Sequence, residues 1–119
     1  MVDADVVLTR GGVYLARLDP VRGGEIGKLR PVAVLTAQPL LDVDPPVLFV
    51  CPLSSRSDPA FGALHVPLPA RDRLLRASWA LVEHCRAVSR GRLRGERIAS
   101  LAPEELSEIL RRLRRLLDA

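Results

Sequence analysis

Short apolar stretches, alternating or continuous, follow one another along most of the chain. The pattern indicates strands, because residues two positions apart lie on the same face of a strand. Turn residues, such as the aspartate–proline pair at 19–20, separate the stretches. We predict five strands, the last of them uninterrupted, at residues 12–18, 31–37, 46–53, 63–68 and 78–89.

The strands are predicted to pair in antiparallel fashion, because the connections between them are turn-like and no crossover helix is visible. The fourth strand is predicted at an edge of the sheet, since Pro67 has no amide N–H to donate to a neighbour. Apolar residues 79–82 of the fifth strand are expected on the surface of a small barrel. A second copy of the chain would cover them, which predicts a homodimer.

Residues 103–119 have a different period. Leucine and isoleucine recur there at three- and four-residue spacing, which predicts an amphipathic helix. Pro103 suits its first turn, and the arginines of its last turns suit the helix dipole. Those arginines are interpreted as a solvated face rather than an RNA contact. The sequence therefore predicts a mainly β fold with a C-terminal helix.

Composition indicates one globular domain over residues 1–119, in which we interpret residues 1–9 as a flexible N-terminal segment. The chain has 119 residues, of which 48% are apolar and 27% charged, a balance typical of folded domains. Its net charge is +4, and Lys28 is the single lysine. Arginine suits bidentate phosphate recognition, but arginine richness can equally reflect genome composition. The charge alone identifies no partner.

Cys51 and Cys85 lie in apolar stretches, and neither the cysteines nor the two histidines have the spacing of zinc ligands. No secretory segment or long apolar span is visible. We therefore expect no metal, no cofactor and no membrane association. The expected location is the cytoplasm, where both thiols would be reduced.

A glycine-rich loop, "RGGEIGKLRP", precedes the second strand. Its glycines leave the backbone free to approach a ligand closely, and Glu25 and Arg30 place opposite charges at its two ends. Spacing alone favours a plain surface turn with a weak exposed ion pair. The loop is nevertheless the richest candidate for chemistry.

Two further segments carry candidate groups. After the third strand, serine hydroxyls cluster around Arg56, which suits phosphate binding but is also ordinary turn chemistry. No GxSxG elbow surrounds them, so serine-hydrolase chemistry is not favoured. In "EHCR", an uninterrupted strand would place Glu83 and Cys85 on one side and His84 and Arg86 on the other. A lone histidine in a strand, His65 included, is more often simply hydrogen-bonded in place.

Several motifs, in consistent order, resemble the MazF/PemK toxins of bacterial toxin–antitoxin systems. The stretch "RGGEIGKLRP" is similar to the family's R-G-S-E-x-G-x-x-R-P, and "CPLSS" is similar to its A-P-L-T-S. The resemblance continues through "LLRASWALVEHCRAVSRGRL" and the amphipathic tail. It covers the chain from about residue 10 to residue 117.

The resemblance implies an SH3-like barrel of antiparallel strands, of the CcdB/MazF/Kid type. It also implies a homodimeric toxin that cuts single-stranded mRNA at specific sequences without a metal, leaving 2′,3′-cyclic phosphate and 5′-hydroxyl ends. A MazE-like antitoxin would be its cognate partner. By correspondence of motifs, the catalytic residues fall on Arg30, Ser54 and Glu25. Contacts to RNA are expected from Gly24, Lys28, Ser55, Arg56, His84 and Arg86.

The sequence departs from the family pattern in two places. Ser54 stands where the family has threonine, and "EHCR" stands where D-Q-I-R is common, so that Glu83 and His84 replace an aspartate and a glutamine. Two alternatives therefore stay open: a gyrase-poisoning toxin of the CcdB kind without nuclease activity, and a catalytically inactive RNA-binding relative.

Overall fold

The structure is a computed structural model that describes residues 7–20 and 22–119. Most of the predicted flexible segment, residues 1–6, lies outside the described residues, as does Val21. Of the rest of that segment, Leu8 is fully buried in the core.

Seven strands and two α-helices are found within the described ranges. Three 3-10 turns, at Pro59–Leu64, Val82–His84 and Arg90–Arg92, interrupt the strand region. The strands and helices are β1 (Gly12–Arg17), β2 (Leu29–Val34), α1 (Gln38–Leu41), β3 (Val47–Ser54), β4 (His65–Leu68), β5 (Ser78–Leu81), β6 (Arg86–Ser89), β7 (Leu93–Ser100) and α2 (Pro103–Leu117).

All of these strands pair in antiparallel fashion, so the predicted mainly β, antiparallel class with a C-terminal helix is confirmed. The strand order is β4-β5-β3-β2-β1-β7, and β6 pairs with β3 beside β5. The order has two ends, β4 and β7, so the sheet is not closed into a complete barrel. The prediction of an edge position for the strand that contains Pro67 is confirmed.

Alternate residues of the central strands enter two different hydrophobic cores. Tyr14 and Val32 belong to the first core, whereas their sequence neighbours Val13 and Ala33 belong to the second. Because successive side chains of a strand point to opposite faces, the sheet carries one core on each face. Helix α2 covers the second core and buries Ile109 completely.

The prediction that the fifth strand is uninterrupted is wrong. It is divided into β5 and β6 by the 3-10 turn Val82–His84. On β3, Leu53 pairs with Ala80 and Val50 pairs with Arg86. The step from Leu53 to Val50 is three residues, whereas the step from Ala80 to Arg86 is six. The turn therefore inserts three residues into the ladder. Its side chains no longer alternate as in a strand, so the predicted division of "EHCR" into two faces does not hold.

The predicted exposure of the apolar residues 79–82 is also wrong for all of them but Trp79, which is partly exposed. Leu81 is 6% exposed and Val82 is fully buried. Both are covered within the same chain, because the 3-10 turn directs Val82 into the second core. This segment therefore offers no apolar strip for a second copy to cover.

Strand β7 and the short helix α1 were not predicted. In β7, "LRGERIAS", only Leu93 and Ala99 are buried, and Gly95 adopts a positive φ of 76°. The pairing of β7 with β1 also shifts register between Val13 and Leu15. Such an irregularity dilutes the period-two pattern, because it displaces buried side chains from alternating positions.

Helix α2 confirms the predicted amphipathic helix. Its N-cap, Ala102, has no side-chain oxygen, and Glu105 accepts a hydrogen bond from the Ala102 amide at 2.7 Å instead. Arg71, in the β4–β5 connection, forms a bidentate pair with the same carboxylate, with 2.6 Å between Nη2 and Oε2. The hydrogen-bonded Arg71 guanidinium lowers the pKa of the Glu105 carboxyl. No helix of residues 7–20 and 22–119 is long and apolar enough to cross a membrane.

The Arg71–Glu105 pair predicts a pH-dependent part of the folding stability. Because folding lowers the pKa of Glu105, its contribution is present above the ordinary carboxyl range and is lost as pH falls through the folded-state pKa. Glu105→Gln should lower the free energy of unfolding by about 1 kcal/mol at pH 7, measured by urea denaturation. The difference should shrink as the pH falls below about 4.

The matched control for this measurement is Glu104→Gln, which removes an exposed carboxylate from the same helical turn. This substitution should lower the free energy of unfolding by only roughly 0.3 kcal/mol in physiological salt. Equal losses for the two variants, or a Glu105→Gln loss that persists at pH 3, would contradict the role given to the ion pair.

Candidate active site

Arg30 and Ser54 meet at one end of the β2–β3 pair. The ladder pairs Val32 with Pro52, and extending this antiparallel register by two residues brings Arg30 opposite Ser54. Both residues line a cavity of about 370 Å³. The predicted convergence of these two groups is therefore found.

The cavity is lined by apolar side chains together with arginines and serine hydroxyls. Ser55 lines it beside Ser54, and so do Arg73 and Arg76 from the β4–β5 connection, two arginines that sequence analysis did not single out. Three guanidinium groups and several hydroxyls around one space suit an anionic ligand. The remaining lining residues are Leu15, Leu29, Pro31, Leu53, Leu74, Leu75, Ser78 and Ile98.

The Arg30 guanidinium is held by a hydrogen bond from its Nε, the nitrogen nearest the backbone. Its Nε donates to the Gly27 carbonyl at 2.7 Å, and among the described residues its two terminal nitrogens have no hydrogen-bond partner. Ser54 Oγ accepts from the Arg56 amide at 3.1 Å, which leaves the hydroxyl proton free to donate. Both side chains are half-buried. The pair is thus fixed in position while its outward donors stay available.

Glu25 does not join Arg30 and Ser54. Its Oε1 accepts from the Arg22 amide at 2.6 Å, and its exposed side chain lines a separate cavity of about 130 Å³. No ion pair links Glu25 to Arg30 in the part of the chain that the structure describes. The cause is local, because the exposed turn that begins with Gly23 at a φ of 56° closes on itself through Arg22.

The residues expected to contact RNA are divided among three places. Ser55 lies with Arg30 and Ser54, whereas Gly24, Arg56 and His84 line a neighbouring cavity of about 630 Å³. Arg86 lies in the small cavity of Glu25, where its Nη1 also donates to the Leu18 carbonyl at 3.4 Å. Lys28 is exposed in the loop, with a positive φ of 69°, and lines none of these three cavities.

A hydrogen-bonded chain of side chains lies in the wall of the larger cavity. Ser57 Oγ is 2.7 Å from His65 Nδ1, and His65 Nε2 is 2.7 Å from Glu83 Oε2. His65 is 3% exposed. Glu83 Oε1 is buried and has no partner among the described residues. The prediction that His65 is simply hydrogen-bonded in place is confirmed, although sequence spacing did not identify its two partners.

The two cysteines also lie together beside this wall. Cys51 in β3 is buried in the second core, against which Cys85 packs. The hydrogen bond with Cys85, together with burial, raises the pKa of the Cys51 thiol. Within the described ranges, no three histidine, cysteine or acidic side chains form a group that could hold a metal ion.

The fold and the cavity together define a small antiparallel β protein with a basic cavity suited to an anionic ligand. The sequence profile described as "PemK-like, MazF-like toxin of type II toxin-antitoxin system" matches residues 9–117. The Endoribonuclease MazF of Staphylococcus saprophyticus is 31% identical over 104 residues, which are 87% of this chain and 85% of that protein. The chain therefore belongs to the PemK-like, MazF-like toxins, a family of endoribonucleases.

Solved structures agree with this assignment. The crystal structure of MazF (Form-I) from Deinococcus radiodurans is similar with a TM-score of 0.82 and 29% identity, covering 97% of this chain and all of that one. A MazE-MazF structure (Form-II) from the same organism has a TM-score of 0.72 and 30% identity, covering 96% of this chain and 98% of that one. The predicted resemblance to MazF/PemK toxins is confirmed.

Proposed function

We propose that this chain cleaves single-stranded RNA without a metal ion, by attack of a ribose 2′-hydroxyl on the adjacent phosphate. The products would be a 2′,3′-cyclic phosphate and a 5′-hydroxyl end. Membership of an endoribonuclease family supports RNA as the substrate. The observation that carries the chemistry is the shared cavity of Arg30 and Ser54.

Arg30 would stabilise the charge that develops during this attack. The phosphate's non-bridging oxygens become more negative in the transition state, so a fixed cation beside them lowers the barrier more than it stabilises bound substrate. The Gly27 carbonyl fixes the guanidinium through Nε, and its terminal nitrogens remain for two parallel bonds to phosphate. Arginine stays protonated at ordinary pH, so Arg30 is not assigned the role of base.

Ser54 would donate its hydroxyl proton to the same phosphate. Its Oγ already accepts from the Arg56 amide, which orients the O–H away from that bond. Arg73 and Arg76 add positive charge around the cavity, which suits an RNA backbone. For Glu25 to take the 2′-hydroxyl proton, its carboxylate has to leave the Arg22 amide, and its place on an exposed loop permits such a movement on RNA binding.

A MazE-like antitoxin and a second copy of the chain are the proposed protein partners, because two similar structures are described as MazE-MazF complexes. The apolar surface that supports a dimer is formed by Val47 and Phe49, which lie on one face of β3 and are 51% and 37% exposed. An acidic antitoxin segment would compete with RNA for the arginine-rich cavity, since both are anionic.

The cleavage proposal predicts a graded response at the two site residues. Arg30→Ala should reduce cleavage of a long single-stranded RNA in EDTA by about a thousandfold. Arg30→Lys should still lose about tenfold or more, because an ammonium cannot form the bidentate fork. Ser54→Thr, which keeps the hydroxyl, should stay close to the parent. Gel electrophoresis of end-labelled RNA measures all four proteins.

The matched control is Arg114→Ala, which removes an exposed arginine of α2 far along the chain from the cavity-lining residues. It should cut as the parent does. Equal activity of Arg30→Ala and the parent would contradict the mechanism. No cutting by the parent would favour an inactive RNA-binding relative or, if DNA supercoiling by gyrase is inhibited, a toxin of the CcdB kind.

The dimer proposal predicts a dimer mass in sedimentation equilibrium at micromolar concentration. Val47→Asp should shift the protein to the monomer, because a buried carboxylate without a partner is costly at an interface. A control substitution at the equally apolar but separate Leu117, which is 66% exposed, should leave the dimer intact. A monomeric parent protein would refute the proposal.

A further inference from the structure

The cavity of about 630 Å³ lies directly beside the proposed cleavage site along the chain. Ser54 and Ser55 line the cleavage cavity, and the next two residues, Arg56 and Ser57, line the larger one. An RNA strand that follows this segment therefore passes from one space to the other. The larger cavity has room for a nucleotide next to the cleaved bond.

The hydrogen-bonding character of one wall is set by Glu83. As a neutral imidazole, His65 donates Nε2–H to the Glu83 carboxylate, and its Nδ1 is then without a proton. Nδ1 accepts the hydroxyl proton of Ser57, since the two atoms are 2.7 Å apart. The Ser57 oxygen consequently presents lone pairs, not a donor, to the cavity that it lines.

The second oxygen of Glu83 strengthens this acceptor character. Glu83 Oε1 is buried and has no hydrogen-bond partner among the described residues, although the side chain as a whole is 21% exposed and lines the cavity. A buried carboxylate oxygen without a partner is costly unless a ligand or water supplies a donor. This wall therefore fits a ligand that presents N–H groups.

The rest of the cavity carries donors and an aromatic ring. The Arg56 guanidinium is exposed and has no side-chain partner among the described residues, and His84 lies across the same space. Phe61, 49% exposed, also lines the cavity and offers a ring for stacking. A flat ligand with donors on one edge and acceptors on another would satisfy all of these groups.

We propose that this cavity binds a guanine base of the substrate RNA, a statement that rests on the proposed function and names part of its specificity. Guanine presents adjacent N1–H and N2–H donors on its pairing edge, which suit Glu83 and Ser57. Its O6 and N7 acceptors suit a bidentate Arg56. Phe61 stacks on the ring, as aromatic side chains do with unpaired RNA bases. The other bases lack this combination of two adjacent donors and two adjacent acceptors.

Mononucleotide binding to the full chain tests the proposal, by isothermal titration calorimetry with 5′-GMP, 5′-AMP, 5′-CMP and 5′-UMP. We expect GMP to bind at least tenfold more tightly than the other three. Inosine 5′-monophosphate, which lacks the N2 amino group, should bind at least threefold more weakly than GMP. Equal binding of the four nucleotides, or binding of none at millimolar concentration, would overturn the proposal.

Two variants locate the binding. Glu83→Gln should weaken GMP binding at least tenfold and remove the preference for it, whereas an unchanged preference would overturn the proposal. If that variant does not fold, Phe61→Ala gives the answer, because this exposed side chain can be removed without opening the core. Phe61→Ala should weaken the binding of GMP at least threefold, and unchanged affinity would count against the site.

Failure of this proposal is distinguishable from failure of the cleavage mechanism. Arg30→Ala should abolish RNA cutting, whereas the preference for GMP over the other three nucleotides should persist, because Arg30 does not line this cavity. The ¹⁵N spectrum of His65 should show a protonated Nε2 and a bare Nδ1 in the free protein. A protonated Nδ1 with a bare Nε2 would contradict the acceptor wall whatever the result of the cleavage assay.

Discussion

Strand β3 is hydrogen-bonded along both of its edges, to β2 on one side and to β5 and β6 on the other. From Val50 to Leu53 both of its faces are also buried, since Val50 enters one core and Cys51 the other. A slip of one residue would exchange the two faces and place these buried side chains in the wrong core. The position of Ser54 opposite Arg30 therefore follows from core packing, without any direct contact between the two candidate active-site groups.

The same strand determines the second cavity. Where β3 changes its partner from β5 to β6, the 3-10 turn Val82–His84 inserts three residues and takes Glu83 out of the ladder. β4 pairs with β5 so that His65 lies opposite Leu81, within reach of that turn. An interruption of regular structure has thus brought Glu83 within hydrogen-bond distance of the buried His65. Sheet irregularities are often found beside functional sites.

The sequence pattern predicted β1 to β3, which are apolar runs bounded by turn residues, and the amphipathic α2. It missed β7, because charged residues and the positive φ of Gly95 obscure the pattern, and it missed the break after β5, because apolar Val82 fits a strand equally well. Motifs located Arg30 and Ser54. The orientation of Glu25 and the His65–Glu83 pair depend on loop conformation and strand register, which local spacing does not encode.

Attack of a ribose 2′-hydroxyl on a phosphate held at Arg30 and Ser54 can be tested by removing a single atom of the substrate. A short single-stranded RNA with one cleavage site is prepared with a 2′-deoxy sugar on the 5′ side of the cleaved bond, and in a control on the 3′ side. Cutting should be lost in the first and retained in the second. Cleavage of the first oligonucleotide at the same bond would contradict the account, since no nucleophile would remain on the sugar.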